Sequence, residues 1–398
     1  MRIGIDGGCL SNRRGFGRFA KRVVDALARE NSSHEFIVFV DRPSLDSVAI
    51  PDRFETAVVE VNEAPGKAAK AGGRRGIGDL LAMSRAVAKR KLDLIYFPAS
   101  YSFFPVWNVG KTVVTLHDTL ALQYPEWVFP NGRGKLAWKL KEYAAVWSAD
   151  EIVTVSEASK RDLIAWFRLN PNRVQVVSEG ADPIFERKPD GCASQKILRK
   201  YRVDPERRFL LYVGGLSPHK NLARLIEAFG LIKESRDDVN LVLVGDFNDV
   251  FHTNVPELRA VVDRLGLNRR VHFTGFVPDE DLSWLYSRAY ALVQPSLMEG
   301  FGLPAVEALA CGTPVLSSRA GSLPEVVGAA GIFFEPTDVK EMAKTIADFL
   351  DRPAERERLA GLAEIEAKRY TWSRAAKTLL NCFERKRTRT PARRGNAA

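Results

Sequence analysis

Short apolar runs rich in β-branched residues alternate along the chain with longer segments whose apolar residues recur at helical spacing. The runs that predict strands form two series: Arg2–Asp6, Phe36–Val40, Ala57–Val61, Leu94–Phe97, Thr112–Leu116, Glu151–Val155 and Val174–Val177, then Phe209–Val213, Leu241–Val244, Val271–Thr274, Ala291–Val293, Pro314–Ser317 and Ile332–Phe334. Helical spacing is clearest in Phe19–Leu27, Leu222–Ile232 and Val339–Leu350. This alternation predicts an α/β protein with parallel sheets, which bind ligands at the carboxyl ends of their strands.

A polar stretch separates the two series of predicted strands. Pro183, Pro189 and Gly191 interrupt the chain there, so we place a hinge within Glu179–Asp190. A chain of 398 residues suits two domains of about 150–200 residues each. The expected domains are residues 1–184 and 190–369.

The C-terminal part predicts a long helical segment followed by a basic tail. The helical pattern runs from Glu355 to about Glu384, with breaks expected at Gly361 and within Tyr370–Ser373. Residues 385–398 contain six basic and no acidic residues, and so account for 6 of the net charge of +10. We interpret them as a disordered solubilising tail, with attraction to anionic lipid as the sharper alternative. The tail lacks interleaved aromatic residues, which disfavours nucleic acid as a partner.

The overall composition is that of a soluble globular protein, with 45% hydrophobic and 27% charged residues and a mean hydropathy of -0.16. The four cysteines are far apart, which predicts neither a disulfide scaffold nor a structural zinc site. The most apolar stretch, Leu92–Trp107, is interrupted by Asp93, Pro98 and Pro105, and falls short of the roughly 20 apolar residues that cross a bilayer. With no signal-peptide layout, we expect a cytoplasmic protein, peripheral to the inner face of the membrane if the tail binds lipid.

The most informative motif, Pro295–Ala308, lies between a predicted strand and a predicted helix. Gly300 and Gly302 let the main chain approach a ligand, and the free N–H groups at the helix start can hold an anion. Glu299 and Glu307 add two carboxylates, which only accept hydrogen bonds. This combination favours a ligand with both phosphate and hydroxyl groups, such as a nucleotide sugar. A glycine-rich turn with two solvated glutamates is the alternative.

Two further segments place polar side chains where predicted strands end. Tyr212–Asn221 turns through glycines and puts Lys220 at the entrance of a helix, where its ammonium can neutralise a phosphate oxygen. A solvated lysine is the alternative. The previous motif also leaves a strand of the second series at its carboxyl end, and this matching position favours a role at the same site. In the first half, His117 and Asp118 end a strand, and the basic segment Arg14–Arg18 precedes the first helix. A structural histidine is the alternative for His117.

Two patterns compete with this interpretation. Gly15–Ala20 matches the GxGxxG/A dinucleotide pattern, with Asp41 ending the next strand, but the first glycine follows Asp6 only after eight residues. Asp279–Asp281 has a DxD spacing that can bind a divalent metal. Because it precedes the helical pattern Leu282–Tyr286, we interpret these acids as stabilising a helix N-terminus. We therefore expect neither a metal site nor a cofactor.

The segment Glu299–Glu307 resembles the E-x7-E motif of the retaining glycosyltransferases of family 4. The resemblance covers roughly residues 1–384 and includes Gly15–Phe19, His117–Asp118, Val153–Glu157, Gly214–Asn221 and Gly321–Val326. It implies the GT-B fold, in which two Rossmann-like doubly wound domains face each other across a cleft. It also implies that a terminal helix, residues 370–384, crosses back onto the first domain.

The resemblance implies a role for each matching residue. Glu299 would bind hydroxyls of the donor sugar, Glu307 the nucleotide ribose and Lys220 the diphosphate. The candidate catalytic residues are then His117, Lys220 and Glu299, and the candidate donor-binding residues are Gly15, Gly17, Gly215, Lys220, Glu299, Gly300, Phe301, Gly302, Leu303 and Glu307. Many relatives carry arginine where this chain has Gly215, and Arg18 from the facing loop is our candidate to replace that cation.

The expected reaction is transfer of a hexose, with retention at the anomeric carbon and without a metal. GDP-mannose is the favoured donor, because His117–Thr119 and Ser217–Asn221 resemble bacterial mannosyltransferases. The expected acceptor is a glycan or a lipid-linked oligosaccharide of envelope polysaccharide synthesis. Four alternatives stay open: a UDP-sugar-dependent hexosyltransferase, a nucleotide-sugar epimerase, a nicotinamide-dependent oxidoreductase and a non-catalytic nucleotide-sugar sensor.

Overall fold

The computed structural model describes residues 1–12, 15–62, 76–129, 132–186, 191–247 and 255–386, which form two parallel β-sheets covered by helices. The strands are β1 (Arg2–Asp6), β2 (Glu35–Asp41), β3 (Glu55–Val59), β4 (Leu94–Phe97), β5 (Lys111–Thr115), β6 (Glu151–Thr154) and β7 (Val174–Val176), then β8 (Arg208–Val213), β9 (Val239–Val244), β10 (Val271–Gly275), β11 (Ala291–Gln294), β12 (Val315–Ser318) and β13 (Gly331–Phe334). Their spatial orders are β3-β2-β1-β4-β5-β6-β7 and β10-β9-β8-β11-β12-β13. Each order reverses once, between β1 and β4 and between β8 and β11, which makes two doubly wound domains.

Helices connect the strands and cover both faces of each sheet. They are α1 (Gly15–Arg29), α2 (Ile77–Ala88), α3 (Leu120–Gln123), α4 (Pro125–Val128), α5 (Gly132–Ser148) and α6 (Glu157–Phe167), then α7 (Gly191–Lys200), α8 (Leu222–Leu231), α9 (Val255–Arg264), α10 (Asp279–Arg288), α11 (Leu303–Ala310), α12 (Leu323–Val327), α13 (Val339–Leu350), α14 (Pro353–Ala367) and α15 (Trp372–Glu384). On the first sheet, α1 and α15 pack into one apolar core, and α2, α5 and α6 pack into the other. Within the described residues, no helix is both long enough and apolar enough to cross a membrane.

The predicted α/β architecture is confirmed. Every predicted strand overlaps an observed one, with ends that differ by at most two residues. The prediction Ala57–Val61 is displaced from β3, Glu55–Val59. Among the described residues β3 pairs with β2 alone, and that pairing ends at Val59 opposite Asp41. At an edge strand the neighbouring backbone, rather than the apolar pattern, sets where the ladder ends.

The C-terminal helical segment crosses back to the first domain, as predicted. The ring centre of Trp372 in this segment lies 6.1 Å from that of Phe19 on α1. The ring centre of Phe383 lies 5.3 Å from that of Tyr96 on β4. The break falls at Thr371, whose hydroxyl accepts the Arg374 N–H and begins α15. The second predicted break, at Gly361, is wrong.

Gly361 lies inside α14, and the space beside it is open. A glycine at such a position weakens a helix by about 1 kcal/mol relative to alanine, which the packing of α14 on the second domain overcomes. The first residue of the predicted tail, Arg385, is held by the first domain, contrary to the expectation of a disordered segment. Arg385 forms an ion pair of 3.1 Å with buried Glu151, and residues 387–398 lie outside the described residues.

Part of the predicted hinge is buried rather than solvated. Asp182 is 3% exposed, and its Oδ2 lies 2.6 Å from Nη2 of Arg22 on α1. Phe185 is fully buried against Tyr286 of α10, with ring centres 5.7 Å apart. The connection therefore packs against both domains up to Glu186, and residues 187–190 lie outside the described part of the chain.

Candidate active site

The two loops at the switch point of the second sheet bring Lys220 and Glu299 together. Strands β8 and β11 are parallel neighbours, so the segments that follow them leave the same edge of the sheet. The Nζ atom of Lys220 lies 2.7 Å from Oε1 and 2.9 Å from Oε2 of Glu299. Side chains 79 residues apart in sequence thus form a two-pronged ion pair.

The Glu299 carboxylate is held in its ionised form. Burial by itself favours the neutral acid, but the Lys220 ammonium and the Ser296 hydroxyl lower the pKa of Glu299 below its ordinary value. Ser296 donates to Oε1 at 2.7 Å, and Gln294 donates to the same oxygen at 3.4 Å. Oε1 is thus crowded with donors, whereas Oε2 takes only the Lys220 bond among the described residues. Oε2 retains a lone pair that can accept a sugar hydroxyl.

The backbone around Lys220 is fixed by its neighbour Asn221. Asn221 adopts a left-handed conformation with φ of 61° between the 3₁₀ turn Pro218–Lys220 and helix α8. Its side-chain amide donates to the carbonyl oxygens of Pro295 at 2.9 Å and Pro336 at 2.7 Å. The first bond ties the lysine loop to the loop that carries Glu299, and the second ties it to the segment after β13, so the ion pair has little freedom.

His219, next to Lys220, is held neutral. Burial and the neighbouring Lys220 ammonium lower the pKa of His219 to about 3. Its carbonyl oxygen accepts the Leu297 N–H at 2.8 Å, which joins the same two loops once more. We assign His219 a structural role, since a neutral ring adds no second positive charge beside Lys220.

Close backbone contacts explain two glycines of the Glu299 loop. Gly302 has φ of +97° and begins α11, where a side chain would be strained. A Cβ atom on Gly300 would lie about 3 Å from Asp118 and from the carbonyl oxygen of His117, because Gly300 abuts the first domain. The amide of Leu303 is in the first turn of α11, and the N–H groups there have no partner within the helix.

Glu307, one turn into α11, is 1% exposed. Burial raises the pKa of Glu307 to about 7, although the Arg18 guanidinium and the Tyr286 hydroxyl favour the ionised form. Tyr286 donates to Oε2 at 2.9 Å, and Nη1 of Arg18 lies 3.1 Å from Oε1. That ion pair is not aligned as a hydrogen bond, so Oε1 lacks a well-placed donor within the described structure.

Arg18 links the two domains through three carboxylates. Besides Glu307, its guanidinium contacts Oδ2 of Asp279 at 2.9 Å and Oδ2 of Asp182 at 3.2 Å. Arg18 was predicted to replace the cation that relatives carry at the position of Gly215. In this structure its guanidinium contacts these three carboxylates instead. Arg18 neutralises the acids around Glu307 instead of standing beside Lys220 as a second free cation.

The DxD segment begins a helix, as predicted, and each outer aspartate has a further contact. Asp279 contacts Arg18 of the first domain, at the N-terminus of α10. Oδ2 of Asp281 accepts from Lys200 and from the Tyr201 hydroxyl, both at 2.6 Å. Within the described ranges, no group of three or more His, Cys, Asp or Glu side chains is arranged to hold a metal ion.

His117 lies at the end of β5, on the opposite side of the cleft. It is 7% exposed, and its Nε2 is 3.3 Å from the carbonyl oxygen of Pro98. The rings of Phe16 and Phe19 each lie 4.8 Å from the imidazole. Its Nδ1 is 3.9 Å from Glu179, so a carboxylate stands ready if the ring is protonated.

One cavity of about 430 Å³ joins these groups. The sequence-predicted residues that line it are His117, Lys220, Glu299, Glu307, Gly15, Gly215, Gly300, Phe301, Gly302 and Leu303, together with Arg18. Gly17 is the exception, because it packs beneath the loop, where a Cβ atom would collide with the carbonyl of Asn12. The roles given to these residues remain predictions; their convergence on one cavity is observed.

The first domain contributes an apolar wall to the same cavity. Its members include Leu120, Leu122, Trp127, Val128 and Trp138 from α3, α4 and α5. Glu142 lies among them with its carboxyl buried, and burial raises the pKa of Glu142 although the Ser100 hydroxyl donates to it at 2.7 Å. A wall of rings with one hydrogen-bonding group is typical of a pocket for a small organic ligand.

Comparison with known proteins identifies the family. The model for Glycosyltransferase Family 4 matches residues 13–185, and that for Glycosyl transferases group 1 matches residues 193–364. O-antigen chain mannosyltransferase B of Escherichia coli is 32% identical over 294 residues, which cover 73% of this chain and 74% of that protein. The chain belongs to the family 4 glycosyltransferases.

Solved structures confirm the fold of this glycosyltransferase. Sucrose-phosphate synthase of Thermosynechococcus elongatus superposes with a TM-score of 0.72 at 20% identity, covering 96% of this chain and 98% of that one. HepE of Anabaena, in complex with UDP and glucose, superposes with a TM-score of 0.69 at 21% identity, covering 96% of this chain and 99% of that one. The GT-B architecture implied by the E-x7-E motif is thereby confirmed.

Sequence reasoning on this glycosyltransferase missed the contacts between its domains. Ser156 and Ser159 donate to the carbonyl oxygen of Gly300 at 2.6 and 3.0 Å. The carboxylate of Glu325 accepts the N–H groups of Glu157 and Ala158 at 3.0 and 3.2 Å. The matched segments Val153–Glu157 and Gly321–Val326 thus meet across the cleft. The serines and the acid could have been recognised from the sequence, because the start of a helix needs hydrogen-bond acceptors of this kind. The local sequence does not show which residues of the other domain they contact.

Proposed function

We propose that this glycosyltransferase moves a mannosyl group from GDP-mannose to a glycan or lipid-linked acceptor, with retention at the anomeric carbon, in envelope polysaccharide synthesis. The observation that carries the proposal is the Lys220–Glu299 pair at a sheet switch point, in one cavity with Glu307 and His117. This edge of a doubly wound sheet is where nucleotides bind.

Each charged group offers a donor or acceptor to a nucleotide sugar. An ammonium has three N–H donors, and Glu299 takes two from Lys220, which leaves one for a phosphate oxygen. Oε2 of Glu299 can accept a hydroxyl of the transferred sugar. Oε1 of Glu307 can accept a ribose hydroxyl, which would displace Arg18 from its 3.1 Å contact.

The chemistry of the proposed step is a redistribution of charge. When the bond from the anomeric carbon to the phosphate oxygen breaks, the nucleoside diphosphate gains negative charge and the sugar gains positive charge. The Lys220 ammonium and the first-turn amides of α11 stabilise the leaving group, and removal of such a group typically costs about 2.7–4 kcal/mol. The leaving phosphate can take the acceptor's proton on the same face, which gives retention. With these groups in place, we propose that no metal is required.

The mannosyl group in this proposal rests on likeness to a known enzyme, and the alternative donor rests on likeness to another. The 32% identity to a mannosyltransferase of Escherichia coli favours a mannosyl donor. A UDP-hexose is the second candidate, because HepE of similar fold binds UDP and glucose. Direct comparison of the two donors decides between them.

A donor panel followed by product analysis tests the proposal. Melting curves with GDP-mannose, UDP-glucose and ADP-glucose should show the largest stabilisation with GDP-mannose, because a ligand raises the melting temperature by mass action. Nucleoside diphosphate release should rise when an acceptor glycan is added, persist with a metal chelator, and yield an α-linked product by NMR.

Other products would replace the proposal. An isomerised donor sugar would indicate an epimerase, and hydride exchange with a nicotinamide would indicate an oxidoreductase. Binding of the donor without turnover would indicate a sensor. If UDP-glucose alone stabilised the protein, UDP-glucose would replace GDP-mannose as the proposed donor. We further propose that the protein acts in the cytoplasm. Cys9, Cys311 and Cys382 are free thiols, and a reducing compartment keeps thiols in this state.

A further inference from the structure

Glu142 is a buried acid in the wall that the first domain contributes to the cavity. It is 3% exposed, and it lines the cavity from α5. Its Oε1 accepts the Ser100 hydroxyl at 2.7 Å, whereas Oε2 accepts no hydrogen bond from the described residues. Buried polar atoms almost always have a hydrogen-bond partner. Because the residue lines the cavity, the donor that Oε2 lacks within the described chain can come from a ligand.

Aromatic rings accompany this carboxyl in the wall. Trp138, one turn before Glu142 on α5, lines the same cavity, and so does Trp127 on α4. The Lys141 ammonium lies 4.4 Å from the ring centre of Trp138 and donates to the carbonyl oxygen of Tyr101 at 2.8 Å. A ring beside a carboxyl group suits a pyranose, because its carbon face packs on the ring while its hydroxyls reach the carboxyl.

The charged groups of this wall are mostly acids. Three carboxyls of the first domain line the cavity, those of Asp118, Glu142 and Glu179. Among the described lining residues of that domain, Arg18 is the only lysine or arginine, and its guanidinium contacts three carboxylates. The ring nitrogens of His117 lie 3.3 Å from a backbone carbonyl oxygen and 3.9 Å from Glu179. Each of these basic groups therefore already has an acceptor of the protein beside it.

A phosphate or carboxylate on a ligand would be unfavourable against this wall. An anion that leaves water for a buried site needs a cation or several donors to offset its lost hydration. Burial and the nearby Asp118 carboxylate raise the pKa of Glu142 above its ordinary value, so further negative charge is poorly tolerated there. A sugar hydroxyl avoids this cost, because it can donate to a carboxylate or accept from a carboxyl that keeps its proton.

We propose that Glu142 determines acceptor specificity: its Oε2 accepts a hydroxyl of the terminal acceptor sugar, and the wall around it selects neutral sugars over phosphorylated or carboxylated ones. Trp138 packs against the carbon face of the same sugar. The inference rests on the proposed function in taking this wall as the acceptor side. Binding of a glycoside to the wall does not require transfer, so the two are measured separately.

Matched sets of glycosides test the selection of neutral sugars. The methyl glycosides of mannose, glucose and galactose are each compared with their own 6-phosphate and with the uronate oxidised at C6, so stereochemistry is constant within a set. Titration of the full chain, followed by ligand-observed NMR with and without GDP, measures binding. We expect at least one neutral glycoside to bind, and its two charged counterparts to bind at least about tenfold more weakly.

Two substitutions test the role of Glu142 itself. Glu142→Leu removes both oxygens and should weaken binding of the neutral glycoside about tenfold to a hundredfold. Glu142→Gln keeps a hydrogen-bonding group but cannot ionise, so it should bind the neutral glycoside within about fivefold of wild type and discriminate less against the uronate. Glu126→Gln, at an exposed position on α4 that does not line the cavity, should match wild type.

Melting curves and the affinity for GDP or UDP, whichever wild type binds, show whether the variants keep the fold and the donor wall. A parallel loss of nucleotide and glycoside affinity in both Glu142 variants would overturn the proposal, since Glu142 would then act through the structure. So would unchanged glycoside binding in both variants, absence of neutral glycoside binding to wild type, or equal binding of a neutral glycoside and its 6-phosphate.

Transfer is followed separately, as nucleoside diphosphate release with the same glycosides. Release with neutral glycosides alone would agree with the binding result. Selective binding in wild type without release from any donor would refute the proposed function and leave the assignment of Glu142 standing.

Discussion

The two domains share one strand order, apart from the additional edge strand β7 in the first, but face the cleft with different chemistry. In the second domain, the loops after β8 and β11 carry Lys220 and Glu299, and α11 carries Glu307. In the first domain, the corresponding edge offers mainly rings and aliphatic groups, such as Phe16 and Trp138, around His117. The same topology therefore fixes where a pocket forms, while the loop side chains decide what each wall can bind.

The comparison divides the cavity into a charged wall and an apolar wall. The charged wall suits the phosphates and hydroxyls of a donor. The apolar wall suits the flat carbon face of an acceptor sugar, with the carboxyl of Glu142 as a hydrogen-bonding group. If this division is correct, substitutions on the two walls should affect donor and acceptor separately.

The largest effect is expected on the charged wall. Lys220→Ala and Glu299→Ala should each reduce transfer at least about a hundredfold, because each removes a group that stabilises charge in the transition state. Each also leaves its buried partner without a counter-charge. The measurement is steady-state release of nucleoside diphosphate in the presence of acceptor.

A matched control and a folding assay accompany these two variants. Lys344→Ala removes an exposed lysine on α13, far from the loops of the switch point, and should behave like wild type. Melting curves should show that Lys220→Ala and Glu299→Ala remain folded. Near-wild-type rates in both would refute the assignment of the charged wall to the donor.

A smaller effect is expected on the apolar wall. Trp138→Ala should raise the KM for the acceptor about tenfold, because a lost ring contact is worth roughly 1–2 kcal/mol. The dissociation constant for the nucleoside diphosphate should stay unchanged, since that ligand binds the other wall. Kinetics with varied acceptor, together with calorimetric titration of the nucleotide, measures both quantities.

The control for Trp138 is a tryptophan outside the cavity. Trp107, 42% exposed, does not line the cavity, and Trp107→Ala should leave both constants unchanged. A Trp138→Ala variant that weakens nucleotide binding as strongly as acceptor binding would mean that the two walls do not act separately.

The contact between the walls should matter less than either wall. Ser156→Ala/Ser159→Ala removes two hydroxyls that donate to the Gly300 carbonyl oxygen, each bond contributing about 0.5–1.5 kcal/mol. We expect transfer to fall about threefold and the ratio of donor hydrolysis to transfer to rise, because a looser cleft admits water. Quantifying free sugar and glycoside products gives that ratio.

Two hydroxyls within a single domain give the control for the serine pair. Ser235 and Ser287 donate to the carbonyl oxygens of Ile232 and Ser283, neither of which crosses the cleft. Ser235→Ala/Ser287→Ala should leave the hydrolysis ratio at the wild-type value. An equal rise in both double variants would point to general loosening instead of a contact between the domains.

Much of the fold was predictable because its signals are local. Strand runs, helical spacing and the glycines around Glu299 each occupy a few consecutive residues, and the parallel α/β order follows from their alternation. The edge at which the cavity lies followed as well, since parallel strands end at one side of a sheet. The failure at Gly361 is also instructive, because packing of α14 overrides a weak local signal.

The unpredicted part of the site depends on contacts distant in sequence. Arg18 lies 164 residues from Asp182 and 261 from Asp279, and no periodicity connects them. The apolar wall comes partly from α3 and α4, which have four residues each and are too short for a helical pattern to be recognised. A single sequence shows that such residues exist, but not which of them meet.

The smallest effect expected is a change in the pH dependence of stability from Glu307. Its pKa of about 7 in the folded protein lies above the ordinary 4.5 of the carboxyl, so between these values the folded state binds more protons than the unfolded chain. Stability is therefore lost as the pH rises through that interval. Glu307→Gln, which cannot ionise, should remove this loss, worth on the order of 1–3 kcal/mol.

Melting temperatures of wild type and Glu307→Gln, measured from pH 4.5 to 8, test the direction of this effect. The difference, wild type minus variant, should fall by a few degrees as the pH rises, mostly below about pH 7.5. Glu357→Gln, at an exposed position on α14, should show no such trend. A difference that instead grows with pH would mean that Arg18 outweighs burial and keeps Glu307 ionised throughout, and the charged wall would then carry its full negative charge before the donor arrives.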